Sequence, residues 1–350
     1  MDIYTEFQIE VQRKMRNYED YFCGQVECLP VIYHYTSQTG FEGILKKEPT
    51  FWFSRYNALN DKSEGNDILE VYEKTIKELR DGKEQKISEE FYEIIKDIRV
   101  SEQYLFGIDD EPYTDHETNE SVPCTRFVFE KGKPYLCCFS EDMDSLPMWN
   151  YYCKGGKYLG YNIGICMSTL VEHTHDLFGK GYNLKLFKVI YDDKEKEQIL
   201  SDLVCYLYEQ YIRISDKDGS DINSYIRNII ASFVNEYRFA FKKKYFEHEK
   251  EIRAVLIVPD EKLAYFVPDE KLANTEVEND LCVRFRDCGE FIVPYIEYKL
   301  PSKDIVTSVW YAPMDASEEI KKDKDALLEE RIRAIGYNAK VHHSKIPVRY

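Results

Sequence analysis

The chain has 350 residues and a formal net charge of -17, from 64 acidic and 47 basic side chains. Its densest basic run is Lys242-Lys243-Lys244, too little clustered positive charge for a general nucleic-acid coat, and no apolar run approaches the length of a membrane span. Ten cysteines are scattered without C-x-x-C spacing, which excludes a regular disulfide framework and predicts free thiols in a reducing cytoplasm, with no metal site.

The chain opens Met-Asp-Ile-Tyr without the charged-then-apolar pattern of a leader. Residues 1–25 read as an amphipathic helix with Ile9, Val11, Met15 and Tyr18 as its apolar positions. A strand follows over Val31 to Tyr35, a short helix over 36–47, and a second strand over Thr50 to Ser54 that runs into a polar loop, 55–65. The spacing of Ile68, Val71, Tyr72, Ile76 and Leu79 predicts a helix over 67–82. Ser88 is placed to cap another helix, over 88–106, and the acidic stretch 107–124 reads as an exposed loop.

Strands are expected at 134–139, 159–167 and 184–191, then a helical stretch over 194–241 broken by the turn signal Asp216-Lys-Asp-Gly-Ser220. Further strands fall at 252–258, 290–300, 305–311 and 339–343, with a helix over 317–335. The heptapeptide Val258-Pro-Asp-Glu-Lys-Leu-Ala264 recurs nine residues on, far below solenoid length. Strands and helices mix without regular βαβ spacing and no linker divides the chain. The expected organisation is therefore α+β: one domain over 1–350, with core strands in 31–65 and 134–350, a helical and loop insert at 67–124 and a helical insert at 194–241.

Three polar constellations carry candidate chemistry. In His34-Tyr35-Thr36 at the end of the first strand, alternation puts His34 and Thr36 on one face and Tyr35 on the other. Phe53-Ser54 leads into Asn60, Asp61 and Glu64, residue types that equally suit a capped turn or an anion site at a helix start. Glu249, Glu251 and Arg253 stand at two-residue spacing, so an extended segment would present them together; paired carboxylates raise one another's pKa, and Arg253 can hold one ionised. Such a set suits stabilising a cation, or a base beside a hydrogen-bonder; a solvated edge strand has the same pattern. Trp149 and Tyr152 stand in a dense aromatic group, where packing is the default use of the Trp. Gly160-x-x-x-Gly164 lacks dinucleotide-fingerprint spacing.

As an ordered set the strings Asn60-Asp61-x-x-Glu64-Gly65, Cys138-Phe139-Ser140, Met148-Trp149-x-x-Tyr152, Glu249-x-Glu251-x-Arg253 and Ser344-Lys-Ile-Pro-x-Arg349 resemble a widespread bacterial family of unassigned function. Trp310-Tyr-Ala-Pro313 departs from that pattern. More distantly, the layout resembles the ADP-ribosyltransferase superfamily, a strand-rich split-sheet α+β fold that holds NAD in a cleft. The resemblance implies NAD as substrate, His34, Tyr35 and Thr36 on the ribose side, Ser54 supporting the ribose or the key carboxylate, and Glu249 or Glu251 as the catalytic carboxylate. With Asn60, Asp61, Glu64, Trp149, Tyr152 and Arg253 these form the expected site for a small anionic ligand or nucleotide. Two other readings stand beside it: a nucleotide-sensing or partner-binding module without turnover, and a metal-dependent nucleic-acid processing enzyme should Asp61, Glu64, Glu249 and Glu251 converge.

Overall fold

A computed structural model of the chain describes residues 3–59, 65–83, 86–109, 113–114, 121–122, 126–153, 159–214, 222–265, 281–289, 291–300 and 302–347. In chain order the first half contains α1 (Ile3–Glu19), a π-helical turn (Asp20–Gly24), α2 (Gln25–Glu27), β1 (Val31–Ser37), α3 (Gln38–Ile44), β2 (Thr50–Arg55), α4 (Asp67–Asp81) and α5 (Glu89–Ile95). Then come β3 (Gln103–Asp109), β4 (Tyr113–Thr114), β5 (Ser121–Val122), β6 (Arg126–Ser140), α6 (Leu146–Tyr152), β7 (Gly160–Cys166), α7 (Met167–Gly179) and β8 (Asn183–Lys188). The remainder holds α8 (Asp193–Ile214), α9 (Ile222–Tyr237), β9 (Glu251–Pro259), β10 (Ala264–Tyr265), β11 (Cys282–Asp287), β12 (Ile292–Lys299), β13 (Val306–Tyr311), α10 (Glu318–Ala334) and β14 (Lys340–His343). No helix among the described residues is long and apolar enough to cross a membrane.

The chain forms two compact units, one from Met1–Gln25, Asp61–Tyr104 and Phe187–Glu247, the other from Val26–Asn60, Leu105–Leu186 and His248–Tyr350. The segments expected as helical inserts supply α4, α5, α8 and α9, which lie in the first unit. There Ile68, Tyr72, Ile76 and Leu79 of α4 are buried, at the spacing the sequence shows. On α1 the buried positions are Phe7, Val11 and Tyr18, while Ile9 is exposed; intervals of four and seven hold one face, and Ile9 falls off it.

The helix expected over 88–106 ends early. Ser88 caps it as anticipated, accepting from Phe91 N–H at 3.2 Å, but α5 stops at Ile95 and β3 begins at Gln103. Asp97 adopts φ +59°, and the Arg227 guanidinium donates to the carbonyls of Ile94, Lys96 and Asp97, each at 3.1 Å. A left-handed residue and a cation at its exposed carbonyls terminate a helix effectively. The expected loop over 107–124 is in part strand: β3 reaches Asp109, and β4 pairs with β5. The second copy of the heptapeptide lies outside the described residues.

The second unit is built on a twelve-stranded sheet with the path β10-β11-β12-β2-β6-β1-β7-β13-β14. β9 runs antiparallel to β6 over Gly132–Ser140. On the other edge of β6, β2 pairs at Tyr135 and Leu136 and β1 pairs at Ser140. The two strands share that edge and part between those points, so the sheet is split there. One face, carrying Ile32, Phe51, Phe139, Ile163 and Ile252, is buried with Phe41 of α3, Leu170 of α7 and Leu328 of α10. Each such side chain contributes about 1.5–3 kcal/mol of burial. Together these features make an α+β fold.

Candidate functional site

Residues opposite one another in a ladder point to the same face. Glu251 of β9 stands opposite Ser140 of β6, and Ser140 opposite Tyr33 of β1; Arg253 stands opposite Cys138. These side chains share the face turned away from Phe139 and Ile252. Glu251 is 3% exposed and Arg253 0%. The guanidinium grips the carboxylate with two bonds, Nε to Oε1 at 2.9 Å and Nη2 to Oε2 at 3.1 Å. A bidentate, charge-assisted pair of this kind keeps a buried carboxylate ionised.

Glu249 is not on the strand. It ends a 3-10 segment (Lys244–Glu249), and Lys250 takes φ +41° before the ladder begins at Glu251. The two-residue spacing of Glu249, Glu251 and Arg253 therefore gives a shared face only to the last two. The bend is held on both sides: Ser140 Oγ donates to the Glu249 carbonyl at 2.7 Å, Glu141 N–H donates to the Lys250 carbonyl at 3.0 Å, and Lys250 pairs with Asp142 at 3.0 Å. A non-glycine residue at positive φ persists where its surroundings over-determine it, which is common at functional sites.

Tyr152, the last residue of α6, brings its hydroxyl to this corner. Burial pushes that phenol well above its ordinary range, reinforced by the neighbouring Cys138, Glu249 and Glu251. The residue as a whole is 39% exposed, so it lies between the carboxylates and solvent. Beside it the Tyr151 ring sits 5.4 Å from the His248 imidazole, whose Nε2 is buried with no hydrogen-bond partner among the described residues.

Trp149 and Tyr35 serve to hold this corner. Trp149 is fully buried and Tyr35 nearly so, with their rings edge to face at 4.8 Å. The Tyr35 hydroxyl donates to the Asp142 carbonyl at 2.8 Å and accepts from Ser145 N–H at 2.9 Å. Asp144, which the sequence reading passes over, is the hub. Its carboxylate accepts from Trp149 Nε1 at 2.8 Å, Ser344 Oγ at 2.6 Å and Lys345 N–H at 2.9 Å. The M-W-x-x-Y string and the closing Ser-Lys-Ile-Pro string are thus tied through one carboxylate. Its sequence signal is an acid standing between Ser140 and a Pro-bearing helix start, a place where capping carboxylates gather. Gly160 and Gly164 are also structural: a Cβ at Gly160 would lie 2.2 Å from Cys153 Sγ, and one at Gly164 2.3 Å from Ser308 Oγ.

The other expected residues lie elsewhere. His34 and Thr36 point to the opposite, core face of β1; the His34 ring packs edge-on against Phe51 at 5.1 Å and Phe139 at 5.5 Å. Its Nδ1 is bonded to the Cys138 carbonyl at 2.9 Å, across the notch where β1 and β2 part. Burial lowers its pKa to about 4, against the opposing pull of that bond. Ser54 is on the same face as Glu251 but stands opposite Leu136, four residues along β6 from Ser140, or about 13 Å. It meets a residue the sequence did not suggest, Arg286, whose Nη2 donates to Ser54 Oγ at 3.2 Å. Asn60, Asp61 and Glu64 lie outside the described residues. Among the described residues no group of three or more His, Cys, Asp or Glu side chains is placed to hold a metal ion.

Residues 148–254 match the family described as "Protein of unknown function (DUF2971)". The matched stretch contains Met148-Trp149-x-x-Tyr152 and Glu249-x-Glu251-x-Arg253, so the resemblance to a family of unassigned function holds, and that family's description names no activity. No curated protein and no solved structure matches the chain.

Proposed function

We propose that the chain is an NAD-consuming enzyme, an ADP-ribosyltransferase or NAD glycohydrolase, working in a bacterial cytoplasm in defence against phage or rival cells. The observation that carries this reading is a buried carboxylate, Glu251, gripped through two bonds by Arg253 at the start of β9, with Tyr152 beside it. Breaking the bond between the ribose C1′ and the nicotinamide nitrogen sends the electron pair to nicotinamide and leaves a ribosyl oxocarbenium ion. A fixed anion in a site of low polarity stabilises that developing cation without having to reorganise. Water, or a nucleophile on an acceptor, then attacks C1′ and loses its proton. Glu251 is the stabilising group in this reading, Arg253 its positioning residue, and Glu249 with Tyr152 borders the ribose. His34 shapes the notch from the core side and does not touch the ligand.

The bidentate grip of Arg253 favours a second reading, a nucleotide-binding module without turnover, because both Glu251 oxygens are already engaged. One experiment separates the two. Purified protein is incubated with NAD, and free nicotinamide is followed by mass spectrometry beside Glu251→Gln and Glu249→Gln variants. Nicotinamide release that is lost in Glu251→Gln supports the enzyme; thermal stabilisation by NAD without release supports the module. Release that persists in both variants rejects the assignment of these carboxylates.

A further inference from the structure

We propose that Arg286 and Ser54 form an oxyanion site, built to take the phosphate group of a ligand beside Trp52 and separate from the Glu251 corner. In β2 Trp52 is 39% exposed while Phe51, Phe53 and Ser54 are buried. Trp52 and Ser54 share a face, and the register carries that face to Tyr295 and Glu297 of β12 and on to Arg284 and Arg286 of β11. Trp52 packs on Tyr295 with ring centroids 4.6 Å apart, and the Arg286 guanidinium lies 5.6 Å from the centre of the Trp52 ring.

The donors here outnumber the acceptors. Arg286 Nη2 points at Ser54 Oγ, while the adjacent Nε–H is buried with no partner among the described residues. Ser54 is 5% exposed, and its hydroxyl, accepting from Arg286, has its own proton left without an acceptor among the described residues. Nε and Nη2 form the side-on edge of a guanidinium, the edge that binds carboxylate and phosphate oxygens in pairs. Leaving such donors buried and unmet costs free energy that a bound acceptor recovers. Among the described residues the carboxylate that the register brings onto this face is Glu297, and Arg284 answers it at 3.5 Å. Arg286 therefore remains a net cation on a protein whose overall charge is -17. An oxyanion seated against Nε and Nη2 also receives the Ser54 proton. Trp52 walls the site with an aromatic surface suited to whatever carries the phosphate.

The inference stands whether or not NAD is turned over, because it concerns binding at a different place on the face. Trp52 is its reporter, since Trp149 and Trp310 are buried. The experiment titrates the full chain with AMP, inorganic phosphate and adenosine while following tryptophan emission and, in parallel, calorimetric heat. AMP and phosphate should bind and adenosine should not; Arg286→Ala should weaken both by about tenfold or more, and Ser54→Ala by a few-fold. AMP binding more tightly than phosphate would identify the source as a nucleotide, and equal affinity would identify free phosphate. Circular dichroism guards against an unfolded Arg286→Ala, and Arg286→Lys, which keeps the charge but loses the side-on edge, should lose most of the affinity. Equal AMP affinity in wild type and Arg286→Ala, binding of adenosine as tight as AMP, or no binding of either anion by the wild type would overturn the proposal.

Discussion

In the helical unit Lys196 is fully buried and its ammonium donates to Asp67 at 2.8 Å, to Asp193 at 3.2 Å and to the Lys242 carbonyl at 2.7 Å. In the sheet unit Arg253 is equally buried and grips Glu251, two residues away on its own strand, through two bonds. The Lys196 centre draws together α4, the first turn of α8 and the segment after α9, and Lys243 meets the other Asp67 oxygen at 2.6 Å. Its bonds span 129 and 46 residues of chain. The Arg253–Glu251 bond closes no loop and joins no two elements. Burying ions costs several kcal/mol each, so a buried pair must return something. In the first case the return is tertiary connection. In the second the bond itself ties no distant elements, and it holds a preformed anion next to the buried Tyr152 hydroxyl.

The largest effect is expected where that contrast is starkest. Lys196→Ala should destabilise the protein by about 3–5 kcal/mol in urea unfolding, because Asp67 keeps a buried charge with one cation fewer. A loss under 1 kcal/mol would mean the centre is not the clamp its geometry indicates. Next comes Asp144→Ala, which strips three donors of their acceptor and should cost about 2–3 kcal/mol. Its signature is local: trypsin should cut after Lys345 faster, and the emission of Trp149 should shift as Nε1 loses its bond. Glu251→Gln, whose amide oxygen still accepts from the Arg253 guanidinium, ranks third, at about 1–2 kcal/mol, but it should abolish nicotinamide release. If it costs as much stability as Lys196→Ala and leaves release intact, the two ion pairs are of one kind and the functional reading of the sheet pair fails.

The sequence shows some of this plainly. The α4 stripe, the Ser88 cap and the β9 run Ile252 to Val258 follow from period and residue type, and each appears where expected. What it hides is decided by one dihedral or by distant partners. Glu249 drops off the strand because Lys250 takes a positive φ, a choice no spacing rule predicts for lysine. Helix α5 ends at Ile95 because Arg227, 130 residues or more away, caps it. The alternation at His34-Tyr35-Thr36 is right, yet which face meets the carboxylates depends on the β1–β6 register, which is set by pairing across 107 residues. Arg286 is invisible for the same reason and Asp144 shows only a capping signal: their partners, Ser54 and Ser344, come from 232 and 200 residues away.

The smallest effect, read at pH 6, comes from a titration in the sheet unit. His34 sits in the sheet unit's core with its pKa lowered from 6.5 to about 4 by burial, so between those values the unfolded chain binds a proton that the folded chain refuses. Stability contributed by the neutral imidazole is complete above pH 6.5 and falls as pH drops through the window toward 4. The expected loss from this group is about 0.8 kcal/mol by pH 6 and about 2 kcal/mol by pH 5. His34→Asn keeps a donor for the Cys138 carbonyl but cannot take up the proton, so its stability should be lower at pH 7 and flatter with pH than the wild type's. Urea midpoints of both proteins at pH 7, 6 and 5 decide the matter. Parallel slopes would mean that the acid sensitivity arises elsewhere, and that the His34 ring between Phe51 and Phe139 is open enough to be protonated in place.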